Sequence, residues 1–383
     1  MAGPGLPVNI DSFYADSGTD PSVKIHQQNS DIVHTYVNKH DASFLTGTSG
    51  QYLGYNSSGL VVPTSAVVAT NYATVAPAPS GGDDSAALQA ALNTISNPGG
   101  KVILRPGFYH LDSASLIANA PGLILEGSGA PAQSPILGLG GTQLRVASGL
   151  WGFRYNMNDG GAAYAGPQLR NLAFYQGASG ALGGVQITHA HNFSLQGVTA
   201  EGFDTGIGFA VEGVGDCCQY GTFDDVRGSN CQVGLRLTAC NGMRIIGGMF
   251  DASNNSAVIP AGTTAIQMVS GDTLRMFGTV IQFYATAVDL QQGTGHELQS
   301  IRVEGATIGI RVRGSNDHAR IFGGSISNYI VGSGGTAIQV DSGAQLTQIL
   351  MPSISSVGTQ LANSGANTTS FIDNALTIAG RTL

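Results

Sequence analysis

The feature that most constrains this chain is an internal repeat. A small residue followed by an apolar–polar–apolar step occurs seven times. The copies are Gly184-Val185-Gln186-Ile187, Gly206-Ile207-Gly208-Phe209, Gly234-Leu235-Arg236-Leu237, Ala265-Ile266-Gln267-Met268, Ala287-Val288-Asp289-Leu290, Gly309-Ile310-Arg311-Val312 and Ala337-Ile338-Gln339-Val340. They are spaced by 22, 28, 31, 22, 22 and 28 residues. Several are followed by a second short strand, such as Met243–Ile246, Thr273–Met276, Leu298–Ile301 and Ala319–Phe322, then by a turn and a third apolar segment. A period of about 20–30 residues made of short strands marks a solenoid, in which each repeat buries its apolar face only by stacking on its neighbours.

Helical repeats are excluded, because no segment after residue 96 keeps a 3.6-residue apolar period for ten residues. The Leu/Asn ladder of leucine-rich repeats is missing too. What remains is an all-β fold, a parallel β-helix with three strands per rung and rungs about 4.8 Å apart. This explains the composition. Glycine supplies 56 of 383 residues, as tight turns with positive φ require. Only 10% of residues are charged, where about 25% is usual, because inward positions are apolar and like charges stacked along a face repel.

Composition also excludes functions. A net charge of −8 argues against a nucleic-acid partner. No apolar run approaches about 18 residues, so no membrane insertion is expected. Met1-Ala2-Gly3-Pro4-Gly5-Leu6-Pro7 lacks the basic and apolar regions of a signal peptide, which predicts a route other than ordinary secretion. Cys217, Cys218, Cys231 and Cys240 have no CxxC spacing and read as small buried side chains. No metal and no cofactor is implied.

Three regions follow. Residues 1–79 open with a helix-start signal at Asp20-Pro21, and the stretch to Lys39 carries a thin stripe of Ile25, Ile32, Val33, Tyr36 and Val37. That stripe cannot fold alone, so partners are expected, copies of itself among them. Two short strands, Gln51–Tyr55 and Leu60–Val62, flank an Asn-Ser-Ser-Gly turn, and Ala76–Gly82 reads as a linker. Residues 80–360 hold the β-helix. A helix over 84–96 starts it, with Asp84 at the N-cap, Leu88, Leu92 and Ile95 on one face, and Asn97-Pro98-Gly99-Gly100 as the stop. Residues 361–383 finish the solenoid as a cap or tip.

The run Asp83-Asp84-Ser85, an amphipathic helix, then Gly99-Gly100-Lys101-Val102-Ile103-Leu104-Arg105-Pro106-Gly107-Phe108-Tyr109 is similar to the N-terminal signature of the pectate-lyase-like superfamily. The resemblance covers roughly residues 80–360 and implies a right-handed, single-stranded parallel β-helix whose open end the helix caps. Residues 47–62 resemble short segments common in phage tail-fibre proteins. The resemblance therefore implies a virion protein assembled in the host cytoplasm: a tail fibre, tail spike or minor tail protein. Residues 1–79 would attach it to tail or baseplate proteins, the assembly would be a homotrimer, and the β-helix would bind host-surface polysaccharide. A depolymerase, either glycoside hydrolase or lyase, and a non-binding fibre or capsid decoration protein are the alternatives.

Glycoside hydrolysis needs two carboxylates about 5–10 Å apart. The densest acidic stretch supplies the catalytic candidates Glu201, Asp204, Glu212, Asp216, Asp224 and Asp225, six of the 24 acids, with Tyr220 and Arg227 nearby. The same acids also suit rung turns, where Asp accepts from backbone amides. Polygalacturonase-type hydrolases of the superfamily carry Asn-Thr-Asp, Asp-Asp, Gly-His-Gly and Arg-x-Lys motifs. Only Asp224-Asp225 matches, and Gly295-His296-Glu297 departs from the third. Basic candidates for lyase chemistry are Arg302, Arg311, Arg313 and Arg320. Arg311 and Arg313 share a strand face, as a carbohydrate contact or as a solvated pair. Trp151, Phe153 and Tyr155 alternate, so their rings point one way: outward as a sugar-stacking platform, or inward as a core stack. His189 and His191 also share a face but lack a third zinc ligand. In context, Asp83 and Asp84 read as a helix cap.

Overall fold

The computed structural model describes residues 52–55, 61–64, 73–95, 99–118, 120–129, 141–156, 164–213, 218–252, 259–327, 335–351, 353–355, 357–365, 368–372, 375–378 and 381–382. It divides into two compact units, 1–70 and 71–383. In the first, Tyr52–Tyr55 and Val61–Thr64 pair antiparallel, close to the two strands the sequence predicts. The helix expected over 21–39 lies outside the described residues.

The second unit is a right-handed parallel β-helix. It starts earlier than residue 80. Strand Ala73–Val75 already pairs with Lys101–Ile103, and Ala76 is buried with its amide donating to Ile103 O, so the expected linker begins inside the first rung. Sheet I has ten strands, from Leu116–Ala118 through Trp151–Asn156, Gly183–Thr188, Ile207–Glu212 and Val233–Thr238 to Thr359–Asn363. Sheet II includes Thr222–Asp224, Arg244–Ile246, Arg275–Phe277, Glu297–Gln299 and Arg320–Phe322. Sheet III includes Arg227–Ser229, Met249–Asp251, Val280–Gln282 and Arg302–Glu304. The chain runs I, II, III and then up to the next rung, so all three sheets pair in parallel.

Period-two alternation builds the core. In sheet II the middle residue of each strand faces inward, giving a fully buried ladder of Phe223, Ile245, Met276, Leu298 and Ile321. In sheet I the inward ladder runs Phe153, Val185, Phe209, Leu235, Ile266, Val288, Ile310 and Ile338. At Gly184, Gly234 and Gly309 the small residue before the step lies where sheet III side chains intrude. A Cβ on Gly234 would stand 2.6 Å from Phe250 Cδ1.

One copy of the repeat is displaced from its expected alignment. Val185 pairs with Phe209, not Ile207, so the first two spacings are 24 and 26 residues. A slip of two preserves which residues face inward, and alternation alone cannot detect it.

Single residues with positive φ turn the corners. Between sheets II and III these include Asn171, Gly197, Asp225, Gly278 and Ser300. At the start, helix α1 (Ser85–Asn93) buries Leu88, Ala91 and Leu92 and is shorter than 84–96. Asp84 occupies the N-cap position, yet its carboxylate accepts from the Ser80 and His110 amides. Asp83 accepts instead from the Ser85 amide and hydroxyl and from the Asp112 amide, and the Ser113 hydroxyl first, then the Ser85 donors, hold its carboxyl well below the usual range. At the other end, Thr369–Ile372 stacks in parallel on Gln348–Met351. Ala375–Ile378 and Arg381–Thr382 then fold back antiparallel. The reversal covers the edge on which a further parallel rung would form.

Candidate functional site

The five described acids of the 201–225 stretch are spread over three faces. Glu212 ends a sheet I strand and accepts from Gln186 Nε2 at 3.1 Å. Asp224 ends a sheet II strand and accepts from Gln196 Nε2 at 3.3 Å. Glu201 lies on sheet III beside Ser229, and Asp204, in the following turn, accepts from Gln176 Nε2 at 2.9 Å. Asp225 sits at the II–III corner, 3.9 Å from Arg227. Asp216 lies outside the described residues. Each of Glu212, Asp224 and Asp204 is tied to an amide side chain one rung away, as rung ladders require, and not to a second carboxylate.

The aromatic platform needs correction. Phe153 and Tyr155 follow buried Leu116 and Ala118 in the inward ladders of sheet I and are fully buried, and Trp151 is 8% exposed. Tyr155 Oη donates to Ala165 O at 2.8 Å, and the Trp151 ring lies over Gly183, where a Cβ would stand 2.3 Å from Trp151 Cζ3. Phe153 and Tyr155 belong to the hydrophobic core, and Trp151 is buried against Gly183 at its edge, so none of the three offers an outward platform. Arg311 and Arg313 do face outward from sheet I, each taken by a carboxylate. Arg313 grips buried Asp289 with both Nε (2.8 Å) and Nη2 (2.7 Å), which pushes its own pKa up. Arg311 binds Asp341 at 3.0 and 2.9 Å. Arg302 pairs with Glu304.

A groove of about 540 Å³ opens elsewhere, along the corner where sheet I passes into sheet II. Corner residues Asn192, Tyr220, Gly242 and Thr273 all have positive φ and stack in register, with Tyr220 N donating to Asn241 O at 2.9 Å and Gly242 N to Asp272 O at 3.0 Å. The Tyr220 side chain is 61% exposed. Its ring rests over Gly242, where a Cβ would come within 2.9 Å of Tyr220 Cδ1. Arg244 and Arg275 form the groove's sheet II edge. They are register partners on successive strands, so their backbones are about 4.8 Å apart, and both are exposed. Arg275 Nε is 3.8 Å from Glu297 on the rung beyond. Arg244 has no ion-pair partner among the described residues. Asp272, the acid at the rim, is held by the amide and hydroxyl of Thr294 at 2.8 and 3.2 Å.

No known protein family matches the sequence, and no curated protein matches it. Solved structures do. A DFA-IIIase from Arthrobacter chlorophenolicus A6, without its lid and in complex with GF2, is 12% identical over 79% of this chain and 95% of that one, with a TM-score of 0.52. ORF18 of Geobacillus virus E2 is 11% identical over 88% and 71%, with a TM-score of 0.49. An alginate lyase from Paenibacillus sp. str. FPU-7 is 10% identical over 77% and 99%, with a TM-score of 0.46. The feature shared with the DFA-IIIase is the parallel β-helix. At these identities the likeness concerns fold alone.

Within this β-helix, other reactive side chains serve the core. His296 is fully buried: Nδ1 accepts from the Leu274 amide at 3.2 Å and Nε2 faces Gln292 O at 3.3 Å, while burial lowers its pKa. Cys218, Cys231 and Cys240 are free and buried as expected, and burial pushes the Cys231 thiol up to about 12. Cys217 lies outside the described residues. His189 has φ +53 and breaks the strand before His191, so the two share no regular strand face. No metal-binding cluster occurs among the described residues.

Arg244 and Arg275 were not singled out by sequence reasoning, although their signal was present. Met243-Arg244-Ile245-Ile246 and Leu274-Arg275-Met276-Phe277 are the same step of successive repeats, so aligning them stacks the two guanidinium groups. Asn192 and Asn241 left no such trace.

Proposed function

We propose that this chain is a phage tail-fibre, tail-spike or minor tail protein whose β-helix flank binds a host-surface polysaccharide. The observation that carries the reading is the corner groove. An exposed tyrosine face suits sugar C–H surfaces, and amides, hydroxyls and guanidinium groups around it suit sugar hydroxyls. Binding is favoured over cleavage because Glu212, Asp224 and Asp204 are each tied to an amide side chain and lie on different faces of the β-helix. In this reading residues 1–79 attach the chain to tail or baseplate proteins, and the working assembly is a homotrimer in the virion.

The test is incubation of purified protein with a panel of bacterial capsular and cell-wall glycans. Retention, new reducing ends and absorbance of unsaturated uronate are followed together. Retention without product is expected. Product formation that Asp224→Ala abolishes would assign a depolymerase instead, and neither retention nor product would leave a structural fibre. Light scattering after size exclusion should give three times the chain mass, and a monomer would remove the trimer from the proposal.

A further inference from the structure

We infer that Cys218 and Cys240 are the two halves of a latent disulfide that closes one rung of the β-helix into a covalent ring and holds it there. The first support is position. Where sheet I passes into sheet II, a small sheet stacks Tyr164–Ala165, Ala190–His191, Cys218–Gln219 and Cys240–Asn241. Cys218 and Cys240 are register partners on adjacent strands, and both side chains are fully buried. Their backbones are therefore about 4.8 Å apart, inside the roughly 4.4–6.8 Å that a disulfide spans between Cα atoms. The two side chains already meet. The Cys240 thiol donates a hydrogen bond to the Cys218 sulfur and lowers the Cys218 pKa, while burial first, and this contact next, raise that of Cys240. Cys231 is the contrast: it is equally buried, but its thiol donates to Ser229 O at 3.3 Å and Ala200 O at 3.7 Å.

The second support is what the bond would enclose. From Cys218 the chain runs through the sheet II strand Thr222–Asp224, the sheet III strand Arg227–Ser229 and the sheet I strand Val233–Thr238 before it reaches Cys240. That is one complete rung. Each rung of a solenoid is held only by its neighbours, and a rung tied end to end cannot peel away from them. Packing alone asks only for a small side chain here, as fully buried Ala190 shows one rung below. The bond needs an oxidant of the small-disulfide class, such as oxidised glutathione. The Cys218 thiolate attacks one of its sulfurs and expels a first glutathione thiolate. Cys240 then loses its proton and attacks the Cys218 sulfur, expelling the second. Each departing thiolate takes up one proton, so two protein thiols become one disulfide as one glutathione disulfide becomes two thiols. Reducing surroundings keep the pair open, and oxidising surroundings close it.

The test treats the reduced full chain with oxidised glutathione and follows thiol count, intact mass, tryptic map and melting temperature. Two thiols and two hydrogen atoms should be lost, and the tryptic peptide ending at Arg227 should be joined to the one ending at Arg244. The joined form should melt several degrees higher, and a thiol reductant should reverse both changes. Cys217 shares a tryptic peptide with Cys218, so Cys217→Ser separates the two. The link should persist in that variant and vanish in Cys240→Ala, a side chain the same ladder already holds at Ala190. A link that Cys217→Ser abolishes, a link to Cys231, or glutathione adducts that never resolve into a link each overturn the inference. So do thiols that stay unlinked both in the native chain and just below its melting temperature, where opening no longer limits access. A joined form that melts no higher overturns the claim that the ring holds the rung.

Discussion

Sheet I and the corner of sheet II use the same residue types to opposite ends. On sheet I, Phe153 and Tyr155 are inside the solenoid, and the outward arginines are taken up by neighbours. Arg154 binds Gln186, Arg236 binds Gln267, Arg311 binds Asp341 and Arg313 binds Asp289. At the sheet II corner, Tyr220 stands out in solvent and Arg244 has no ion-pair partner among the described residues. A side chain's role in this fold is therefore set by what lies one rung above and below it. Sheet I takes up its arginines within the chain, whereas Arg244 at the corner is left without an ion-pair partner among the described residues.

The contrast can be broken at four points. The largest effect falls on the aromatics. Phe153→Ala should destabilise by about 3–5 kcal/mol in denaturant titration, as for other buried rings, whereas Tyr220→Asn should not destabilise at all. A comparable loss in both would erase the distinction between inside and outside. Next comes Arg313→Gln, which leaves the buried Asp289 carboxylate without its bidentate partner and should cost about 2–3 kcal/mol. The double variant Arg313→Gln/Asp289→Asn should recover much of that loss, since no charge is then left buried.

The third test is pH. Burial holds the His296 pKa below its ordinary 6.5, so below that pH the unfolded chain takes up a proton that the folded chain refuses. The neutral ring's stabilisation is complete above pH 6.5 and is lost as pH falls from there towards the folded value. The slope is at most about 1.4 kcal/mol per pH unit for one proton. Melting curves between pH 7.5 and 5.5 should show it, and His296→Gln should flatten it. An equal slope in the variant would assign the effect elsewhere. The smallest effect is Arg244→Gln, expected to change stability by less than about 0.5 kcal/mol.

Much of the fold was legible because it rests on parity and turns. The alternating steps at Val185, Leu235, Ile266, Val288, Ile310 and Ile338 stack where the repeat puts them. The slip at Phe209 escaped because moving by two keeps the same face inward. The site was less legible. Alternation shows that Trp151, Phe153 and Tyr155 share a side, and it does not say which side is the core. Arg311 and Arg313 look free in sequence because Asp341 and Asp289 lie 30 and 24 residues away and become neighbours only through stacking. At 201–225 neighbours in sequence are not neighbours in space, since one rung carries its described acids past three faces. Tyr220 drew notice only through its acidic neighbours, since nothing in a lone sequence marks a corner of positive φ.

The most direct test sets Arg244→Gln beside Arg313→Gln, with melting temperature and retention by the glycan panel measured on the same preparations. The account predicts opposite outcomes: Arg244→Gln keeps its melting temperature and loses about tenfold or more in retention, and Arg313→Gln melts several degrees lower while the folded fraction binds as before. If Arg313→Gln loses binding at unchanged stability while Arg244→Gln binds normally, the ligand sits on sheet I and the assignment of the corner groove is wrong.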